Sequence, residues 1–152
     1  MESKTKQNES TKLIALDIDK AKLIVCVLQK DESNKISCND SDFKYIILKD
    51  DKDSREIRNF QTTIYDFFDL IHADRIVILA RQMKGRFKAA SVSFKIESLL
   101  QCYPKVDLEF LAPQTLKAYF KKNELQLPVE HAYQEDAFKL GYYLLQQNEI
   151  SN

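Results

Sequence analysis

The sequence predicts an α/β domain: a mixed five-stranded sheet, its first three strands an antiparallel meander, flanked by helices. Three observations carry this. Two apolar, β-rich runs, 13–19 and 22–28, are separated only by Lys20-Ala21 and read as a hairpin. Ile57, Phe60, Ile64, Phe67, Phe68 and Ile71 recur at the spacing of one helical face. The run 75–80 is short, continuous, apolar and rich in β-branched residues. It reads as a strand covered on both faces, hence parallel and central.

The remaining elements follow in order. Residues 29–42 are polar and acidic and read as a loop, and Phe43–Leu48 reads as the third strand. Asp53 or Ser54 caps the helix that carries the Ile57–Ile71 stripe. A basic loop, Arg81–Lys88, contains Gly85. Residues 89–102 read as a helix with Val92, Ile96, Leu99 and Leu100 on one face, and 106–111 as a strand. Pro113 suits the first position of a helix over 113–120. After a polar stretch with Pro128, a last helix covers about 133–147. The order β-β-β-α-β-α-β-α-α places helices on the faces of a mixed sheet.

Composition narrows the function classes. The chain has 152 residues, with 23 Lys+Arg balanced by 23 Asp+Glu. Zero net charge excludes a polycation that coats nucleic acid by bulk charge, so any such site needs a local excess. No apolar run approaches the roughly 18 residues of a membrane span. Residues 1–11 are polar, lack an apolar signal core and read as a flexible leader, with a single domain over 12–150. Cys26, Cys38 and Cys102 form no CxxC pair. Cys26 reads as a small core residue, and a reducing, cytoplasmic setting is expected. His72 and His131 have no metal-ligand spacing with cysteine, and no P-loop, GxGxxG, GxSxG or HExxH occurs.

The order of elements resembles the ribonuclease-H-like fold, and three segments resemble RuvC-type Holliday-junction resolvases. IALDIDKAKLIVCVL is similar to their opening strand pair, FLAPQTLKAYF to their strand–Pro–helix stretch, and YQEDAFKLGYYLL to their final helix. The chain from about 12 to 147 also resembles a small, uncharacterised bacterial family of this fold. Its traits include a basic loop like Lys84-Gly85-Arg86-Phe87 and a stretch like Val92–Ser98. The resemblance implies a metal-dependent nuclease acting on structured nucleic acid, with Mg²⁺ or Mn²⁺ as cofactor and a homodimer as the working form. Asp17 and Asp136 take the positions of ligating carboxylates, with Glu135 beside them as a third catalytic candidate and Asp19 as a third metal ligand. Hard divalent ions take oxygen ligands, and a pair of ions clamps the attacking and leaving oxygens of a phosphodiester. Lys84, Arg86, Lys88 and Lys117 would hold the nucleic-acid backbone. Two positions depart from the pattern. The fourth-strand acid falls on Ala80, and Tyr133 stands one turn before the final-helix acid.

Each feature also has a plainer reading. Asp17 interrupts an apolar run, where a charge is costly unless it is paired or bound to a cation. It suits a metal site, but also a strand-end carboxylate facing solvent or a lysine. Asp19 suits a hairpin turn, and Glu135 and Asp136 suit the first turn of a helix through its dipole. Glu97 falls too far along the second helix to join the set. Between Lys84 and Lys122 basic residues exceed acidic ones by five, and Tyr103, Tyr119 or Phe120 offer stacking. That suits phosphate contact or an ordinary solvated face. The sequence thus leaves open a nuclease, a nuclease-fold protein without catalysis that binds nucleic acid or a protein partner, and a structural protein.

Overall fold

The structure, a computed structural model, describes residues 10–38, 43–81 and 90–150, with side chains as far as Gln147. β1 (Thr11–Asp19) and β2 (Lys22–Lys30) form a hairpin in full register, from Thr11 opposite Lys30 to Asp19 opposite Lys22. The joint has no Asn-Gly, and Lys20 takes the left-handed conformation instead, at φ 57°. That costs a non-glycine residue on the order of 1 kcal/mol.

Along the outer edge of β2 lie two short strands in sequence, β3 (Ile36–Cys38) against 28–30 and β4 (Tyr45–Ile47) against 22–24. On the other side of β1 run β5 (Arg75–Leu79) and β6 (Leu108–Leu111), both parallel. The sheet therefore has six strands, not five. The extra one falls in the expected loop 29–42. Its sequence is polar, but Ile36 is buried and its backbone completes the edge left open by the length of β2. Thr11, expected in the leader, is likewise drawn into β1 by pairing with Lys30. Residues 1–9, 39–42 and 82–89, the last holding most of the expected basic segment, lie outside the described residues.

Strand alternation sorts the core into two layers. Ile14, Leu16, Ile18, Val25, Val27, Ile76 and Ile78 face one side, where α1 (Ser54–Ile71) brings Phe60, Ile64, Phe67 and Phe68 and α2 (Ser91–Gln101) brings Ile96 and Leu100. Leu13, Ala15, Ile24, Cys26, Leu28, Val77 and Leu79 face the other. They meet Leu116 of α3 (Pro113–Lys122) and Ala137, Phe138, Leu140 and Leu145 of α4 (Glu135–Ile150). Asp53 caps α1 by accepting from the Arg55 N–H, and His72 ends it at φ 56°. Gly141 lets α4 lie close on the sheet, since a Cβ there would stand 2.7 Å from Leu28 Cδ1. Cys26 sits in this layer, and burial pushes its thiol up to about 12, so it is an inert core group. Among the described residues, no helix is long and apolar enough to cross a membrane.

Candidate functional site

Parallel strands end together, and ligands of open α/β sheets gather outside those carboxyl ends. Here β1 ends in Asp17-Ile18-Asp19 at the same edge as the start of α4, reached through a turn of 3₁₀ helix, Ala132–Gln134. The turn is fixed to β2. The Gln134 amide donates to the Val25 carbonyl at 3.0 Å, and the Cys26 thiol donates to the Gln134 carbonyl at 3.8 Å. An open pocket of about 500 Å³ results, lined by Asp17, Asp19, Ile24, Tyr133, Glu135 and Asp136. The four acids singled out in the sequence are thus gathered in one place.

Asp17 has the most unusual surroundings of the four. Its side chain is 14% exposed, and burial raises its pKa above the ordinary carboxylate value. The Arg81 guanidinium pulls the other way, while Asp136 and then Asp19 add repulsion that also raises it. Arg81 Nη2 donates to Asp17 Oδ1 at 3.3 Å and to the Leu79 carbonyl at 3.4 Å. Nη1 donates to the carbonyl of Ile18. One guanidinium therefore ties together the ends of β1 and β5. Its own side chain is only 13% exposed, and its Nε is buried without a partner among the described residues.

Glu97, as expected, does not join the acids that line the pocket, but it lies within electrostatic reach of Arg81. It sits on α2, in the opposite layer, and burial raises its pKa while Arg81 lowers it. Its Oε2 is buried and unpartnered among the described residues.

Arg81 itself was visible in the sequence only as the start of a basic loop. The signal that finds it is strand parity. Val77 and Leu79 share the face of Ala15, so continued alternation carries position 81 to the face of Asp17 and position 80 to the face of Ile76 and Ile78. Placing the missing acid on Ala80 hid this. The side chain that reaches Asp17 from just past the end of β5 is a cation, not a carboxylate.

Lys117 is exposed and lines a smaller neighbouring pocket of about 130 Å³ with Leu79, Phe120, Asp136 and Lys139. Lys139 is held by Glu135 at 2.9 Å and lies over the Phe120 ring. Two lysines therefore flank the acids on the α3–α4 side. Lys84, Arg86 and Lys88 lie outside the described residues. Tyr103 is not available for stacking on a base. It is buried in the α1–α2 layer, where its hydroxyl donates to Asp69 at 2.7 Å. Tyr119 and Phe120 pack edge-to-face on each other at the α3–α4 side. Tyr133 lines the acidic pocket, stacked on His131 and edge-on to Tyr45, with Lys22 over both tyrosine rings.

A divalent ion needs several oxygen donors converging on one point. Among the described residues, no group of three or more His, Cys, Asp or Glu side chains is arranged to hold one. Asp17, the first ligand of the implied set, already has a cation at 3.3 Å. The donor set as arranged does not fit a two-metal centre.

Comparison with known proteins agrees with the fold. No curated protein matches the chain. Among solved structures it is similar to Thermus thermophilus RuvC, with 8% identity, 85% of this chain and 90% of that one covered, and a TM-score of 0.64. It is also similar to T. thermophilus RuvC in complex with Holliday junction substrate, at 10% identity, 85% and 89% coverage and a TM-score of 0.61. At such identities the likeness is one of fold, a RuvC-type, ribonuclease-H-like α/β domain. A family profile described as "Protein of unknown function (DUF3010)" matches residues 11–144, from the first strand into the last helix, and the chain belongs to that family.

Proposed function

We propose that this protein binds structured nucleic acid through a RuvC-type fold and does not depend on metal-driven hydrolysis. The observation that carries this reading is the Asp17–Arg81 pair, which gives the first acid of the pocket a protein cation in place of an ion. The pocket opens where the parallel strands end, in a fold shared with a protein that holds a four-way junction. Lys117 and Lys139 stand beside it. Lys84, Arg86 and Lys88 add to the local basic excess that phosphate contact requires. A homodimer would place two such pockets about a two-fold axis, matching a two-fold symmetric junction.

A second reading keeps hydrolysis. It is favoured by the gathering of Asp17, Asp19, Glu135 and Asp136 in one pocket. In it Asp17, Asp136 and Glu135 carry the reaction with Mg²⁺ or Mn²⁺. One experiment separates the two. Labelled single-stranded, duplex and four-way-junction DNA, and RNA, are followed by anisotropy in EDTA and by gel after addition of Mg²⁺ or Mn²⁺. Binding retained in EDTA and weakened by salt, without cleavage, supports the binding reading. Cleavage that needs metal and vanishes in both Asp17→Asn and Asp136→Asn supports the nuclease. No binding at low salt overturns both.

A further inference from the structure

A buried carboxylate in a strand either takes up a proton or is met by a cation, because desolvation of an isolated charge costs several kcal/mol. In metal-bearing sites the ion is that cation. Here the structure supplies a guanidinium whose position is fixed on several sides. Arg81 donates to Asp17 Oδ1, to the Ile18 carbonyl and to the Leu79 carbonyl, and it acts electrostatically on Glu97 from the other layer. One carboxylate and two carbonyls from adjacent strand ends therefore bond one positive group, and a second acid feels its charge from the other layer. These are oxygen donors of the type a hard cation takes.

We propose that Arg81 is the resident cation of this pocket, standing in charge and in place where a divalent ion would otherwise sit. The inference deepens the binding reading and takes its functional meaning from it, since a fixed guanidinium makes the pocket independent of metal supply. A guanidinium is always charged and cannot be lost by dilution or chelation. It neutralises Asp17 but offers no labile site for water, so it cannot lower the pKa of a bound water as an ion does. It leaves Asp136, Asp19 and Glu135 with no ion to share. Lys117, in the neighbouring pocket that shares Asp136, is then the exposed cation able to meet a phosphate, with Lys139 beside it held by Glu135.

The test uses the full chain without nucleic acid. Mn²⁺ is titrated into wild type, Arg81→Gln, Asp17→Asn and the double variant, with thermal midpoint and Mn²⁺ electron paramagnetic resonance as readouts. Glutamine keeps an N–H donor for the strand-end carbonyls while removing the charge. The expected result is no Asp17-dependent Mn²⁺ binding in wild type. Arg81→Gln should gain binding tighter than wild type by about tenfold or more, the scale on which neighbouring groups tune metal affinity. Adding Asp17→Asn should remove the gain. Wild-type Mn²⁺ binding that Asp17→Asn abolishes overturns the proposal, whether or not Arg81→Gln folds. So does a folded Arg81→Gln chain that binds Mn²⁺ no better than wild type. The binding reading fails separately, by loss of anisotropy signal in the nucleic-acid experiment.

Discussion

Asp17 Oδ1 and Arg81 Nη2 lie 3.3 Å apart, at the ends of two parallel neighbouring strands, and both side chains are almost hidden from solvent. Removing one partner strands the other as a buried charge, which typically costs about 3–5 kcal/mol. Arg81→Leu should therefore lower stability at neutral pH by an amount near the bottom of that range, since the pair keeps slight exposure. Asp17→Asn in the same chain should restore part of the loss, because no unpaired carboxylate remains. Urea unfolding of the two single variants and the double variant measures this. Simple additivity would show that the two side chains do not interact.

Gly141 meets the sheet where three side chains leave no room. A Cβ would stand 2.7 Å from Leu28 Cδ1, 3.2 Å from Leu13 Cδ2 and 3.3 Å from Ala15 Cβ. Leu28, Leu13 and Ala15 are fully buried, so they yield little. Alanine gains about 1 kcal/mol of helix propensity, while overpacking costs about 1–3 kcal/mol. Gly141→Ala should therefore be less stable by about 1 kcal/mol, read as a lowered thermal midpoint. A midpoint above wild type would mean that α4 sits loosely on the sheet.

Phosphate binding is read by salt dependence. If Lys117 touches the backbone, Lys117→Ala should weaken DNA binding alike across sequences. It should also reduce the slope of log K against log salt by about 0.9 on duplex. Replacing Lys84, Arg86 and Lys88 together should reduce the slope further, by about one such step for each phosphate that these side chains neutralise. Anisotropy titrations over a series of salt concentrations give the slopes. Unchanged slopes would place the nucleic acid on another face.

Asp69 accepts from the Tyr103 hydroxyl at 2.7 Å and from Lys105 at 2.9 Å. These bonds hold its carboxyl below the ordinary value of 3.8, while burial first, then Asp69, pushes Tyr103 up to about 12. The two linkages have opposite signs. The Asp69 contribution is present above its unfolded pKa and is lost as pH falls through the depressed folded value. The Tyr103 contribution is present below its unfolded pKa of 10 and is lost as pH rises toward about 12. Tyr103→Phe should flatten both ends of a plot of thermal midpoint against pH. An unchanged alkaline limb would show that Tyr103 does not stay protonated in the fold.

What the sequence determined by itself was the pattern of elements and their faces. Period-two runs such as 13–19, the helical stripe from Ile57 to Ile71 and the unbroken run 75–80 are local signals. Burial enforces them because a slipped register would expose the core. Asp17 was legible for the same reason, as a charge where the pattern demands an apolar or external group. The short strand Ile36–Cys38 was not legible. Three polar-flanked residues carry no periodicity, and only the length of β2 creates the edge they fill. Nor were Arg81 and Glu97, which lie far apart in sequence from Asp17 and from the last helix. The contact of Arg81 with Asp17 depends on parallel strands ending together, and its influence on Glu97 on α2 lying within electrostatic reach of that end, relationships that exist only once the sheet has closed its two layers.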